Sequence, residues 1–210
     1  MNINKVNEIR NSIGDNTTLV AVTKNQSIED VQVLYDNGYR QFGENKLQEL
    51  VKKKQIFPDA TWHFIGRIQS NKLKAIVANS ALIHSVSEYR YLQKINSEAQ
   101  KIDKVQDVLL QLNIANEPTK KGLTQGDLDA IINEDSFSNV NIRGIMVMGD
   151  HVDDEATIIN TFRVAKETFE TLKSDFDSFD TLSMGMSSDY MLAVQNGSTM
   201  VRLGTILFTD

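Results

Sequence analysis

The 210-residue sequence contains no cysteine and only two prolines, and both absences limit what the protein can be. Without cysteine the chain cannot form a disulfide scaffold, a Cys-ligated zinc or iron–sulfur site, or a thiol nucleophile. Neither Pro58 nor Pro118 lies in a linker-like tract rich in Pro, Ser and Gly. A chain of this length buries roughly 70% of its unfolded surface without covalent or metal cross-links. We therefore expect a single domain over residues 1–210.

Long apolar runs and a basic excess are also missing. No stretch approaches the roughly 18–20 apolar residues of a membrane span, and the first residues, MNINKVNEIR, lack the apolar segment of a secretory signal. The net charge of −6 argues against nucleic acid as a partner. We therefore expect a cytoplasmic protein that binds neither a membrane nor nucleic acid.

Lysines cluster at two places in the N-terminal half of the chain. They form the run Lys52–Lys54 and the pair Lys72 and Lys74, both within predicted helices. We interpret them as solvated helix faces, and the alternative is a docking patch for an anionic partner.

Short apolar runs alternate with amphipathic segments along the whole chain, which predicts strands alternating with helices. The predicted strands cover 17–23, 39–43, 62–66, 81–86, 105–114, 141–148, 181–184 and 199–203. The predicted helices cover 2–13, 27–38, 44–56, 70–78, 88–101, 124–133, 153–174 and 187–195. Eight such units favour an α/β fold with a single (β/α)8 barrel over a doubly wound open sheet. The open sheet is further disfavoured because the first strand, in LVAVTKNQS, is not followed by a glycine-rich dinucleotide signature.

In such a barrel the active site lies at the C-terminal ends of the strands, so polar residues at those ends are candidates. Lys24 follows the first strand and is a candidate Schiff-base former, or simply a lysine at a strand exit. Asn45 ends the second strand and can hydrogen-bond a ligand or cap the next helix. Its neighbour Glu44 can hold a cation or orient Lys24.

The three histidines have no metal-binding spacing, and we predict no metal site. His63 lies inside the third strand and is expected in the core or the barrel wall. His84, near the end of the fourth strand, is equally compatible with a wall position and a catalytic role. His151 lies in an acidic segment and is expected to be solvated.

The loops after the seventh and eighth strands, 183–189 and 202–205, are rich in small and hydroxyl residues. Backbone N–H groups and hydroxyls at helix starts suit a phosphate, and barrels often bind phosphate after strands 7 and 8. The simpler alternative is that Ser187 or Ser188 caps a helix and that Gly204 makes a turn.

Five segments together resemble the pyridoxal phosphate homeostasis protein family, in order and over nearly the whole chain. These segments are LVAVTK (19–24), FGENKLQE (42–49), WHFIGRIQSNK (62–72), LSMGMSSD (182–189) and GSTMVRLGT (197–205). The resemblance implies a barrel similar to the N-terminal domain of alanine racemase, standing alone, with pyridoxal 5′-phosphate (PLP) as its cofactor.

The resemblance also implies roles for individual residues. Lys24 would form the internal aldimine with PLP, Asn45 would lie near the ring, and Arg202 would face the pyridine nitrogen. The positions that hold or flank the 5′-phosphate would be Met184, Gly185, Ser187, Ser188, Gly204 and Thr205. Because an arginine keeps its proton, the ring nitrogen would stay largely unprotonated and the ring would be a poor electron sink.

The function implied by the resemblance is a carrier that buffers PLP and releases it to apo-enzymes or to amines such as amino acids. We expect a monomer without catalytic residues of its own. Alanine racemase has a second domain and a partner-subunit tyrosine, which we do not expect in a chain that ends at Asp210. Gln26 stands where the family often has a second lysine. Two alternatives remain: a low-activity PLP-dependent amino-acid racemase, and a cofactor-free phosphosugar lyase or isomerase that uses Lys24.

Overall fold

The computed structural model describes residues 2–114, 121–133, 137–148 and 154–209. Eight parallel strands close into a barrel in chain order, which confirms the predicted fold. The strands are β1 (Thr18–Val22), β2 (Gln41–Glu44), β3 (Thr61–Phe64), β4 (Leu82–Val86), β5 (Gln106–Leu112), β6 (Val140–Val147), β7 (Thr181–Ser183) and β8 (Met200–Leu203).

Helices follow the strands around the outside of the barrel. Within the described ranges they are α1 (Ile3–Ser12), α2 (Ile28–Asp36), α3 (Leu47–Ile56), α4 (Leu73–Asn79), α5 (Tyr89–Gln100), α6 (Gln125–Ile132), α7 (Glu155–Leu172), α8 (Tyr190–Gln195) and α9 (Thr205–Phe208). Ser27 caps α2 as predicted, because its side chain accepts a hydrogen bond from the Asp30 N–H. The sequence gives no sign of α9, since four residues are too few to show a helical period.

Side chains alternate between the two faces of the barrel wall, as the two-residue period of a strand requires. On β1, Leu19 and Ala21 belong to the large apolar core between strands and helices, whereas Val20 belongs to a separate small cluster. That cluster contains Val20, Leu82, Leu109, Met146 and Met200, from five different strands, and it fills part of the barrel interior.

The same alternation identifies which polar residues face inward. On β3, His63 lies between Trp62 and Phe64, which both belong to the outer core, so its side chain faces the interior. On β8, Arg202 lies two residues after Met200, whose side chain faces the interior, so the side chain of Arg202 faces the interior as well. Lys24 lies four residues after Val20, an even spacing, so its side chain points to the same inner face. Because Lys24 lies past the end of β1, this places it at the mouth of the barrel.

No helix in the described part of the chain is long and apolar enough to cross a membrane.

Candidate functional site

A cavity of about 500 Å³ opens at the C-terminal ends of the strands. Three of the predicted site residues line it together: Lys24 after β1, Asn45 after β2 and Arg202 on β8. Its apolar wall is formed mainly by Phe64, Ile65, Ile76, Met146, Met148 and Met186. The cavity lies where barrel enzymes place their active sites.

The cavity is lined by cations and, among the described residues, by no acidic side chain. Besides Lys24 and Arg202, the side chains of Lys46, Arg67 and Lys72 reach it. From the sequence, Lys72 is interpreted as part of a solvated helix face, and Lys46 and Arg67 are not selected, although all three lie in the quoted segments that follow β2 and β3. An excess of positive charge around a concave site favours an anionic ligand.

Lys24 is exposed at the mouth and makes no hydrogen bond or ion pair with the described residues. The residue before it is held firmly. The Thr23 N–H donates to the Gly43 carbonyl at 3.0 Å, and the Thr23 hydroxyl donates to Glu44 Oε1 at 2.7 Å. After Lys24 the chain turns sharply, since Asn25 adopts a left-handed conformation with φ of 62°. The backbone of Lys24 is therefore fixed while its side chain projects into the cavity mouth.

A buried ion pair lies under this turn, and it bears on two predictions. Lys53 Nζ lies 2.6 Å from Glu44 Oε1, with the side chains 1% and 0% exposed. Lys53 also donates to the Thr23 carbonyl at 2.7 Å. The prediction that the whole run Lys52–Lys54 is a solvated face is therefore wrong for Lys53. Of the two roles predicted for Glu44, it holds a cation, the ammonium of Lys53, and it does not bond Lys24, because its partners are Thr23 and Lys53.

Asn45 lines the cavity rather than capping a helix. The N-cap position of α3 is Lys46, and it makes no side-chain cap bond. The backbone after β3 passes very close to Asn45. As a consequence, a Cβ on Gly66 would lie 2.0 Å from the Asn45 carbonyl oxygen. Only glycine fits there, so Gly66 allows the ends of β2 and β3 to form one wall of the cavity.

Arg202 is a buried cation, 6% exposed, that borders the cavity. Its Nη1 donates to the Ser183 carbonyl at 2.9 Å and to Ser183 Oγ at 2.7 Å, and its Nη2 donates to the Val147 carbonyl at 3.0 Å. Burial lowers the pKa of Arg202 to about 10, against the attraction of the Asp189 carboxylate. Arg202 thus stays charged at neutral pH, and the described residues form no ion pair with it within 4 Å.

His63 and His84 are buried inside the barrel and contact each other, with His63 Nδ1 2.9 Å from His84 Nε2. The core or wall position predicted for His63 is confirmed, and His84 does not line the cavity. Burial lowers the pKa of His63 to about 4. Burial, with His63 and Arg202 nearby, holds the pKa of His84 well below its usual value. His151 lies outside the described residues.

Of the two predicted phosphate loops, only Met186 and Arg202 line the cavity, and the other loop residues lie beside it. Ser187 Oγ accepts hydrogen bonds from the backbone N–H groups of Gly204 at 3.2 Å and Ile206 at 3.4 Å. Neither Ser187 nor Ser188 caps α8, whose N-cap is Asp189, so that prediction is wrong. Ser187 instead joins the loop after β7 to the start of α9.

The remaining predicted residues differ in their surroundings. Met184 is fully buried in the core between strands and helices. Gly185 has a φ of +95°, and a Cβ there would lie 2.6 Å from Ala193 Cβ, so this position requires glycine. Ser188 and Thr205 are exposed at the loop surface. The described residues contain no group of three or more His, Asp or Glu side chains that could hold a metal ion.

Comparisons with known proteins agree with this fold. Residues 3–210 match the family described as alanine racemase, N-terminal domain. The pyridoxal phosphate homeostasis protein of Vibrio alginolyticus is 35% identical over 201 residues, which cover 92% of this chain and 86% of that protein. The chain therefore belongs to the alanine racemase N-terminal domain family and, within it, to the pyridoxal phosphate homeostasis proteins.

Solved structures show the same likeness. PipY of Synechococcus elongatus PCC7942, solved without PLP, superposes with a TM-score of 0.92 at 32% identity, covering 98% of this chain and 99% of PipY. The structure of PipY with PLP bound gives 0.89 at 31% identity over the same shares of the two chains. Alanine racemase of Clostridium difficile 630 superposes with a TM-score of 0.82 at 16% identity, and this chain spans 58% of it, which is a likeness of fold alone.

Proposed function

We propose that the protein binds PLP reversibly through the amine of Lys24 and acts as a carrier in PLP homeostasis. The observation that carries the proposal is the cavity that Lys24 and the buried Arg202 both line, with no acidic side chain among its described lining residues. The relative PipY, alike over 98% of the chain, has been solved with PLP bound. We further propose that residues 1–210 form one PLP-binding domain that acts as a monomer.

The residues of the cavity fit this cofactor. PLP supplies a 4′-aldehyde that condenses reversibly with an amine, and Lys24 presents one at the mouth. Three of the five N–H donors of Arg202 are bonded to Ser183 and Val147. The two remaining donors leave Arg202 able to bond a ligand, and it would face the ring nitrogen. The N–H groups of Gly204 and Ile206 both donate to Ser187 Oγ, which brings these three groups together, and they would hold the phosphate once its oxygens replaced Ser187 Oγ as the acceptor.

Two features favour a carrier over a PLP-dependent enzyme, the first against a racemase and the second against a decarboxylase or transaminase. A racemase needs a proton donor and an acceptor on opposite faces of the ligand. Among the described lining residues there is no His, Tyr, Asp or Glu to oppose Lys24. Arg202 can only donate at the ring nitrogen, whereas chemistry that uses the ring as an electron sink needs a proton there. Release to apo-enzymes or to amino acids would follow from attack of another amine at the carbon bound to Lys24.

The first test is the absorption spectrum of the purified protein before and after borohydride reduction, followed by peptide mapping. We expect a yellow protein whose reduced cofactor remains on the Lys24 peptide. The variant Lys24→Ala should show no aldimine band beyond the absorption of free PLP, while the control Lys52→Ala, at an exposed lysine outside the cavity lining, should keep the band. A wild-type protein that shows no band with added PLP would overturn the proposal and favour a cofactor-free lyase or isomerase.

A second assay separates the carrier from the racemase. Exchange of the α-proton of added amino acids into deuterated water, abolished by Lys24→Ala, would show racemase chemistry. Binding and transfer of PLP to an apo-enzyme without such exchange would support the carrier.

A further inference from the structure

A continuous chain of hydrogen bonds crosses the barrel interior from the cavity to the opposite side. Arg202 Nη1 lies 2.7 Å from Ser183 Oγ, which lies 3.3 Å from His84 Nδ1. His84 Nε2 lies 2.9 Å from His63 Nδ1, and His63 Nε2 lies 2.7 Å from Gln41 Oε1. The five residues come from β8, β7, β4, β3 and β2. We call this set the interior chain.

The interior chain is shielded from water along most of its length. Ser183 and His84 are 0% exposed and His63 is 2% exposed, while Gln41 at the far end is half-buried. A buried polar group that loses its partner destabilises the fold, so each link depends on the next. An apolar filling, like the interior cluster around Val20 and Met200, would have avoided this dependence.

The direction of the hydrogen bonds in the interior chain follows from its two ends. Gln41 Oε1 only accepts, so His63 carries its hydrogen on Nε2 and donates to it. A neutral His63 then accepts at Nδ1 from the Nε2–H of His84. His84 Nδ1 in turn accepts the hydrogen of Ser183 Oγ, while a lone pair of that oxygen accepts from Arg202, which only donates. The chain therefore has a single polarity, with both imidazoles neutral.

This polarity determines how Arg202 is held. Both hydrogens of Nη1 are used by Ser183, and the bond from Nη2 to the Val147 carbonyl fixes the plane of the guanidinium. While His84 Nδ1 takes its hydrogen, the hydroxyl of Ser183 is held in one rotamer and keeps a lone pair directed at Arg202. A second hydrogen on His63 would place two donors against each other between the rings, and one on His84 Nδ1 would compete with Arg202 for the lone pairs of Ser183 Oγ.

We propose that His84 is a positioning residue that acts through Ser183 to lock the guanidinium of Arg202 in one orientation toward the cavity. His63 and Gln41 fix the tautomer of His84 that this requires. The part of the inference that concerns the cofactor rests on the proposed function, because there the locked donor would meet the ring nitrogen. The part that concerns Arg202 itself holds with or without PLP.

The deciding experiment is nitrogen-15 NMR of the PLP-free protein, with Arg202 assigned through Arg202→Lys. In the wild type we expect separate Nη–H resonances for Arg202, and Nε2–H tautomers for His63 and His84 that do not titrate between pH 6 and 8. In His84→Leu the separate Arg202 resonances should be lost, because rotation of the guanidinium becomes fast. In His84→Gln, which restores a donor and an acceptor, they should be retained.

Several outcomes would overturn the inference. One is an Arg202 spectrum in folded His84→Leu that matches the wild type, which would make the interior chain a structural filling only. Another is a Nδ1–H tautomer for either histidine in the wild type. If His84→Leu does not fold, Ser183→Ala removes the same link with a smaller change in volume, and an Arg202 spectrum like that of the wild type would again contradict the inference.

The cofactor readout keeps the two proposals apart. With PLP added, we expect the absorption band to shift in His84→Leu and not in His84→Gln. A wild type that takes up no PLP would refute the proposed function, while the NMR result would still decide the positioning of Arg202. An unshifted band in a PLP-loaded His84→Leu protein would overturn the part that concerns the cofactor.

Discussion

The buried ion pair under Lys24 leads to a prediction whose size can be worked from the structure. Replacing Lys53 with methionine keeps most of the side-chain volume but removes the cation. Glu44 is then left fully buried, with Oε2 already lacking a hydrogen-bond partner and Oε1 bonded only by Thr23. The Thr23 carbonyl also loses its bond from Lys53. Removing one partner of a buried ion pair typically costs 3–5 kcal/mol of unfolding free energy.

This cost is large enough to measure in two ways. For a protein of this size, 1 kcal/mol corresponds to a change in Tm of roughly 2–4 °C, so Lys53→Met should lower Tm by about 6–20 °C. Urea unfolding should show a lower midpoint with an unchanged slope. The matched control is Lys52→Met, one residue away on the exposed face, which should stay within about 0.5 kcal/mol of the wild type.

The double variant Lys53→Met/Glu44→Gln tests the cause. Because it removes the uncompensated charge, it should be more stable than Lys53→Met alone, with a coupling energy of about 0.5–3 kcal/mol between the two sites. The reasoning is refuted if Lys53→Met costs less than about 1 kcal/mol, or if the two substitutions simply add.

Two further predictions test the loop after β7 and the buried histidines. Gly185→Ala should cost about 1–3 kcal/mol in urea unfolding, because its Cβ would meet Ala193 at 2.6 Å and φ is +95°. Gly126→Ala in α6, where a Cβ would make an ordinary contact with Thr124 Oγ1 at 3.8 Å, should cost nothing, and equal effects would contradict the cause given. Because the pKa of His63 is about 4 when folded against about 6.5 when unfolded, stability is fully present above pH 6.5 and is lost as the pH falls toward 4, by about 3 kcal/mol from this group. The check is urea unfolding of His63→Gln at pH 6.5 and at pH 4. A loss of stability as large as that of the wild type would show that His63 is not its source.

The sequence predicts the barrel well because the periods of strands and helices are local signals. Eight apolar runs at regular spacing were enough for the topology, and Lys24, Asn45 and Arg202 follow from the rule that sites lie at strand ends. The burial of Lys53 was missed, although a signal existed: it lies on the same face of α3 as Leu50, and Phe57 follows at the end of that helix. Because three lysines follow one another, this helical spacing is hard to recognise in the sequence.

Other features depend on contacts that no local pattern contains. The pairing of His63 with His84 requires the register of β3 against β4, in which His63 lies opposite Leu82. The bonds of Ser187 to Gly204 and Ile206 join loops that come together only when the barrel closes between β7 and β8. A serine just before a helix is most simply interpreted as a cap, and only the closed barrel shows its other partners.

Two buried polar networks support different sides of the cavity. Because one acts on Lys24 and the other on Arg202, the covalent and the non-covalent parts of PLP binding can be tested separately. The ion pair of Lys53 and Glu44 fixes the backbone at Lys24, where a carrier must form and break its bond to the cofactor. The interior chain fixes Arg202, whose contact with the ring would persist while that bond reverses. A carrier needs the contact with Arg202 to retain the cofactor until an acceptor amine arrives. Lys53→Met should therefore alter the rate at which the bond to Lys24 forms, and His84→Leu should alter retention after Lys24→Ala has removed the bond.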